Sequence, residues 1–330
     1  MSKIIISKTP LRISFNGGGT DFEDYYSKKS GQILSTTINK NIYVTVKEHG
    51  ELFNENIRLN YSETEVVSKL DDIQNDIARE CLRLMDIDKS IYISTISDIP
   101  SQSGLGSSSS FAVGLLNALN NYKGIKISPK ELAEQACRIE IDVLRNPIGK
   151  QDQYAAAYGG LNIFKFQKTG EVIVEDYGTK YIKEIFDNSL FFWTGITRPS
   201  STVLNEQKNN IKNNMKNLDF IKAYAVEASD LLKKGNFNIF KFGKILDAAW
   251  NQKKQLSSKV SNPEFDSIYL KAKENGALGG KILGAGGGGF FMILALKRDH
   301  EKIIKVFSKY RKVKFGFQKE GSKIICSCKN

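Results

Sequence analysis

Short apolar runs and helical periodicities alternate along the first half of the chain, so both strands and helices are expected there. Residues 4–7 and 42–47 are rich in β-branched and aromatic side chains and read as strands; residues 91–96 alternate apolar with polar and stop at Asp98-Ile99-Pro100. Ile73, Ile77, Cys81 and Leu84 recur at helical spacing and predict a helix over 72–85. Another is expected over the apolar residues 111–122. Ser128-Pro129-Lys130-Glu131 reads as a helix start, with Ser128 as N-cap, Pro129 in the first turn and Glu131 closing a capping box. That helix should run to about Leu144, where Asn146-Pro147 ends it.

Beyond Gly159-Gly160 a hairpin is expected, 161–166 with 171–176, turning at Thr169-Gly170. A strand over 190–193 follows, then two long polar helices, 200–232 and 240–257, in a stretch rich in asparagine and lysine. The pattern closes with a helix over 264–275, a glycine-rich turn, a strand over 290–296, a helix over 300–310 and a last strand near Ile324. No repeat is visible. A boundary near residue 180 divides the chain into 1–180 and 181–330.

Length and composition narrow the class. The 330 residues suffice for two domains or one large one, and 41% hydrophobic with 25% charged residues is the balance of a soluble globular protein. No apolar run is long enough to cross a bilayer, and the opening MSKIIISKTP lacks a secretory apolar region, so a cytoplasmic protein with no membrane partner is expected. The cysteines Cys81, Cys137, Cys326 and Cys328 read as reduced thiols; the C-x-C has no second pair to complete a zinc site. With only His49 and His300, histidine-based catalysis has little material.

The net charge of +12 admits nucleic acid, an anionic surface or a phosphorylated small molecule as partner. The lysines are spread from end to end, with no compact basic block interleaved with aromatics. A chain that handles phosphates fits better than one that binds nucleic acid.

Residues 100–113, "PSQSGLGSSSSFAV", stand between an expected strand and a helix expected to start near Ser109. Gly104 and Gly106 allow backbone to pass close to a ligand, free N–H groups at a helix start favour an anion, and serine hydroxyls can ligate magnesium. The stretch reads as a phosphate cradle or, more plainly, as a serine-capped helix behind a glycine turn. It is not the common P-loop, because no lysine follows the glycines. In "SFNGGGTDF", Gly18, Gly19 and Thr20 lead to Asp21, a carboxylate suited to sugar hydroxyls or to an ordinary polar turn. Glu140 emerges among Ala136, Cys137, Val143 and Leu144, an apolar setting in which a glutamate is a candidate metal ligand. Asp152, past the Pro147–Gly149 break, is expected on a loop. The run Gly284–Gly289 satisfies G-x-G-x-x-G but precedes a strand, so it is rejected as a dinucleotide fingerprint. It suits a second glycine wall over a ligand.

In order, "KTPLRISFNGGGTD", "PSQSGLGSSSSFA" and "KILGAGGGGF" resemble the three motifs of the GHMP kinase family, the galactokinase, homoserine, mevalonate and phosphomevalonate kinases. Within it, "TPLRISFNGGGTDF" and "NPIGKQDQYAAAYGG" most resemble the heptose 7-phosphate kinases, which phosphorylate the anomeric oxygen on the route to GDP-heptose. Galactokinases have Glu-His where this chain has Gly18-Gly19. Fucose kinases, with a tryptophan before Thr-Asp, are the nearest alternative.

The resemblance implies an α+β fold in two parts. The first would be like ribosomal protein S5 domain 2 and the second ferredoxin-like, with the site between them. It implies ATP and Mg²⁺ as cofactors and a sugar phosphate as substrate. Ser103, Gly104, Leu105, Gly106, Ser107, Ser108, Ser109 and Ser110 would wrap the ATP phosphates. Ser108 and Glu140 would hold Mg²⁺. Asp152 would be the base, helped by Arg12. Asp21, with Gly18, Gly19 and Thr20, would meet the sugar, and Gly286 and Gly287 would wall the ligand. Lys150, Arg198 and Lys281 are candidates for the substrate's own phosphate, each equally readable as a solvated surface cation.

Overall fold

Strand β1 (Lys3–Asn16) is longer than its sequence pattern suggested. Its first half alternates between buried and half-buried positions, but from Thr9 to Asn16 every residue is buried. A strand covered on both faces loses the two-residue alternation that marks it. Helix α1 (Glu23–Lys29), not anticipated, leads to β2 (Gly31–Glu48), whose first eight residues are likewise all buried. The expectation over 42–47 caught only the part of β2 that alternates. The computed structural model describes residues 3–329 apart from 51, 234 and 236.

The short strands β3 (Ile57–Asn60) and β4 (Thr64–Val67) come next, then α2 (Asp76–Leu84) and β5 (Ile91–Ser97). Helix α2 starts later than residue 72 because Asn75 caps it, accepting the Ala78 N–H at 3.0 Å. Helix α3 (Ser107–Tyr122) starts earlier than the apolar run at 111, because Gly106 takes left-handed backbone (φ +76°) and turns the chain straight into helix. Helix α4 (Pro129–Cys137) has the expected capping box, but it continues as a π-helical turn over Arg138–Val143. Asp152 lies in the first turn of α5 (Gln151–Tyr158), not on a loop. The hairpin β6 (Leu161–Phe166) and β7 (Val172–Asp176) forms where expected. Along one side of β2 runs β1; along the other, β6 pairs with residues 31–36 and β5 with 42–48.

The second half contributes α6 (Ile182–Asp187), β8 (Ser189–Trp193), α7 (Ser200–Asn209), α8 (Met215–Lys233), α9 (Ile239–Lys254), α10 (Pro263–Glu274), β9 (Ala277–Ile282), β10 (Phe290–Ala295), α11 (His300–Val306), β11 (Arg311–Val313) and β12 (Lys323–Lys329). The long helix expected over 200–232 is two helices. Ile211 is buried in the break, and the Asn214 side chain donates to the Leu256 carbonyl at 3.1 Å, so tertiary contacts fix the turn. Strand β9 falls where the sequence pattern predicts a glycine-rich turn. Glycine weakens a strand by propensity, yet here it lets the strand touch a helix: a Cβ at Gly279 would fall 2.1 Å from the Gly243 carbonyl of α9.

Strands β11, β8, β10 and β9 form an antiparallel sheet in that order. Phe192 stacks on Phe307 (centroids 4.3 Å apart) and Phe265 meets Phe291 edge to face in the core behind it. Strand β12 does not join this sheet. It returns to lie antiparallel to β1 in the first sheet, whose order is β12-β1-β2-β5-β3-β4. The result is an α+β fold with two separate sheets.

Candidate active site

The two glycine-rich turns pack back to back. A Cβ at Gly104 would fall 2.5 Å from the Leu283 carbonyl oxygen, one at Gly284 2.5 Å from that of Gly104, and one at Gly289 2.3 Å from that of Ser103. All three have positive φ, so side chains are excluded by backbone conformation and by space alike. Beside this double wall opens a cavity of about 680 Å³, within the range of small-molecule sites.

Arg12, buried on β1, ties the wall to the chemistry. Its Nη1 donates to the Gly104 carbonyl, and its Nε and Nη2 donate to Asp152 Oδ1 and Oδ2, each at 2.7 Å. The pair is bidentate, with Asp152 at 22% exposure and Arg12 at 6%. The guanidinium therefore fixes the carboxylate's orientation and leaves one edge open to the cavity. Gly106 makes room for it: a Cβ there would lie 3.2 Å from Asp152 Oδ2. Gly106 also caps α3 without a side-chain bond, so the first N–H groups of that long helix are not claimed by a capping side chain. Ser107, Ser108 and Ser109 line the cavity beside them. An anion is favoured there by both the donors and the helix dipole.

Across from this helix end stands Glu140, fully buried on the π-helical turn. Its Oε1 accepts from Ser108 Oγ at 2.8 Å and its Oε2 from Gln153 Nε2 at 2.6 Å. Burial pushes its pKa up to about 7, against the hydrogen bonds of Ser109, Ser108 and Gln153. Among the described residues no group of three or more His, Cys, Asp or Glu gathers as a metal site. A hydroxyl and one carboxylate, both hard oxygen donors lining the cavity, do fit magnesium, which keeps waters and takes phosphate oxygens for the rest of its shell.

Asp21 is buried with Oδ1 accepting from the Gly19 N–H and Oδ2 from the Gln151 N–H, both at 3.1 Å. Burial pushes its pKa up to about 6; those two backbone donors oppose the shift and Asp152 adds to it. Lys253, from the last turn of α9, is buried in the same corner and donates to the Gly284 carbonyl. Burial and Arg12 push its pKa down to about 8, and Asp21 and Asp152 partly offset them.

Gly18, Gly19, Asp21, Arg198 and Gly286 line the cavity, as do Gly104, Gly106 and Ser107 to Ser109. Several other expected residues do not. Thr20 is buried and donates its hydroxyl to the Gly17 carbonyl, stitching the turn. Ser103 and Leu105 are buried behind the wall, and Ser110 donates to the Pro10 carbonyl. Gly287 is spent on packing, since a Cβ there would lie 2.7 Å from the Lys259 carbonyl. Lys150 reaches away to the Gly170 carbonyl and over the Tyr26 ring. Lys281 sits not in a turn but on β9, buried, donating to the Ser14 and Phe15 carbonyls. Burial and the nearby Lys253 and Arg12 push its pKa well below the usual lysine value, so it is no surface cation.

Sequence reasoning missed Lys253, Gln151 and Gln153. The two glutamines flank Asp152, which is the signal in the sequence that points to them. Nothing marks Lys253 among the lysines around it.

Residues 72–160 match the family description "GHMP kinases N terminal domain" and residues 230–313 match "GHMP kinases C terminal". The D-glycero-alpha-D-manno-heptose 7-phosphate kinase of Campylobacter jejuni is 32% identical over 97% of this chain and 98% of its own length. The L-fucokinase/L-fucose-1-P guanylyltransferase of Bacteroides fragilis is 25% identical over 92% of this chain and 36% of its own length. Among solved structures, a D-glycero-D-manno-heptose 1-phosphate kinase from Bacteroides thetaiotaomicron superposes with a TM-score of 0.78 at 26% identity, over 97% of this chain and 98% of that one. The galactokinase of Lactococcus lactis in complex with galactose shares the fold, with a TM-score of 0.73 at 17% identity. The chain belongs to the GHMP kinase family, whose members are ATP-dependent phosphotransferases.

Proposed function

We propose that this protein transfers the terminal phosphoryl group of ATP to the anomeric C1 hydroxyl of D-glycero-D-manno-heptose 7-phosphate, giving the 1,7-bisphosphate and ADP. The observation that carries the chemistry is the Arg12–Asp152 pair, held at 2.7 Å beside the start of α3. The choice of sugar is carried by the likeness to the Campylobacter heptose kinase over nearly the whole chain.

In this reading the triphosphate lies against the N–H groups and hydroxyls of Ser107 to Ser109, walled by Gly104 and Gly106. Asp152 accepts the proton of the C1 hydroxyl as its oxygen attacks the terminal phosphorus and the bond to ADP breaks. An anomeric hydroxyl is acidic for an alcohol, so a carboxylate base suffices. Arg12 orients that carboxylate through its two hydrogen bonds and offers positive charge to the moving phosphoryl group. Ser108 and Glu140 would hold Mg²⁺, which would offset the negative charge of the phosphates during transfer. Asp21 orients the sugar, and Arg198 remains available in the cavity. The two halves, 1–180 and 181–330, with the last strand returned to the first sheet, enclose the site as a cytoplasmic enzyme.

The lysines' spread over the chain and the Glu140–Asp152–Arg12 set both disfavour nucleic-acid binding. Screening hexoses, heptoses and their terminal phosphates for ADP release tests the proposal. Release with heptose 7-phosphate above the other sugars is expected. Release with none of them, or with an unphosphorylated hexose alone, refutes it.

A further inference from the structure

Gly17, Gly18 and Gly19 follow one another, and the fold accounts for two of them. Gly17 has φ +96° and a Cβ there would lie 2.0 Å from the Gln32 carbonyl oxygen; Gly19 has φ +101° and would press its Cβ to 3.1 Å from Leu218. Gly18 has neither constraint. Its backbone is not left-handed, and a Cβ would meet nothing nearer than Lys253 Nζ at 3.7 Å, Gln151 Nε2 at 3.8 Å and Ser14 Oγ at 3.9 Å, all ordinary contacts. The protein alone could hold alanine here.

Those three neighbours are polar side-chain ends, and they have capacity to spare. Ser14 Oγ and Gln151 Oε1 are buried with no hydrogen-bond partner. Lys253 gives the Gly284 carbonyl one of its three N–H bonds. Buried polar atoms left unpaired are few in folded proteins and call for a ligand or water. Gly18, Gln151 and Lys253 all line the cavity, next to Asp21 and Arg12. Lys150 and Lys281, meanwhile, spend their charge elsewhere.

We propose that Gly18 is kept bare by the substrate: the space over it is a subsite for the end of the sugar remote from the reacting hydroxyl, with Lys253 as the contact for its phosphate monoester and Gln151 and Ser14 as hydroxyl partners. This deepens the proposed sugar-phosphate kinase reading and rests on it. A phosphate dianion would keep the buried ammonium protonated and supply the counter-charge that Asp21 and Asp152, both already hydrogen-bonded, share with Arg12.

The test compares wild type with Gly18→Ala, Lys253→Met and Lys253→Arg, using heptose 7-phosphate and the same heptose without its phosphate, at saturating ATP. Lys253→Met should raise KM for the phosphorylated sugar by about 10- to 100-fold, as loss of one charged hydrogen bond does, and barely change KM for the unphosphorylated one. Lys253→Arg should recover part of the loss. Gly18→Ala should melt with the wild type and keep its KM for ATP, yet raise KM for the sugar. An unchanged preference for the phosphorylated sugar in both Lys253→Met and Gly18→Ala overturns the subsite. So does a fall in kcat alone on Lys253→Met, which would place that amine on the transferred group instead. A wild type that phosphorylates no sugar phosphate overturns the kinase reading itself, and that outcome is read without any variant.

Discussion

Replacing Asp152 by Asn tests the site most directly. The carboxylate receives two guanidinium hydrogen bonds at 2.7 Å and is the only group proposed to take the substrate's proton. The amide keeps one acceptor oxygen, cannot accept a proton at neutral pH and turns an NH₂ toward Arg12. Removing a general base lowers turnover by about 10²–10⁴-fold, or roughly 3–5 kcal/mol of barrier. Arg12 is 6% exposed and would lose its counter-charge while keeping the Gly104 carbonyl. Because Asp152 is partly open to water, the stability loss should stay near 1–3 kcal/mol.

The assay is single-turnover ADP formation together with calorimetric ATP affinity and a thermal melt. Turnover should collapse, while ATP affinity stays within about threefold, since the phosphates are held from α3. Adding Arg12→Met to the Asp152→Asn background should lower turnover far less than Arg12→Met does in the wild type, because the two side chains act as one unit. Turnover of Asp152→Asn within tenfold of wild type, or strict additivity of the two changes, refutes the assignment of Asp152 as base positioned by Arg12.

Glu140→Gln should raise the magnesium concentration for half-maximal rate by at least about tenfold with the folded state intact, the amide still bonding Ser108; an unchanged magnesium titration counts against the ligand role. Asp21 has its folded pKa raised to about 6 from 3.8, so the folded state binds its proton more tightly than the unfolded one. Its stabilising contribution is present below pH 3.8 and lost as the pH rises through 6. The stability of Asp21→Asn relative to wild type should therefore improve by about 2 kcal/mol between pH 4 and pH 7 in denaturant titrations, and a flat difference would show that Asp21 titrates normally. Gly104→Ala places a Cβ 2.5 Å from the Leu283 carbonyl on left-handed backbone. It should destabilise by about 1–3 kcal/mol and weaken ATP binding, whereas a wild-type melt would mean that the two glycine walls are not in contact.

The legible features were those made by neighbours in sequence. The capping box at Ser128 and Glu131 forms as read, with the Ser128 N–H donating to Glu131 at 2.9 Å, because its partners are three residues apart. The β6–β7 hairpin formed for the same reason. Less was legible where a strand is covered on both faces, as in β1 from Thr9 onward, or where glycines serve helix contact, as in β9. Of the residues read as site residues, Asp21, Glu140, Asp152 and Ser107 to Ser109 lie on the cavity, whereas Ser103, Leu105, Ser110 and Gly287 do not line it. The cations were the weakest reading. Lys150 and Lys281 turn away from the cavity, and Lys253, unremarked, turns in.

By itself, then, the sequence determined where backbone must be bare, where a helix must begin behind a glycine turn, and that Asp21 follows such a turn directly. Such preferences act within a few residues and are written in local dihedral and hydrogen-bonding choices. The tertiary structure alone decided that Gly104 meets Gly284, that Arg12 spans to Asp152, that the last strand returns to the first, and which lysine faces the cavity. Lysines on amphipathic helices are alike locally; only burial against distant backbone, as at Lys253 beside Gly284, selects which one carries its charge into the site.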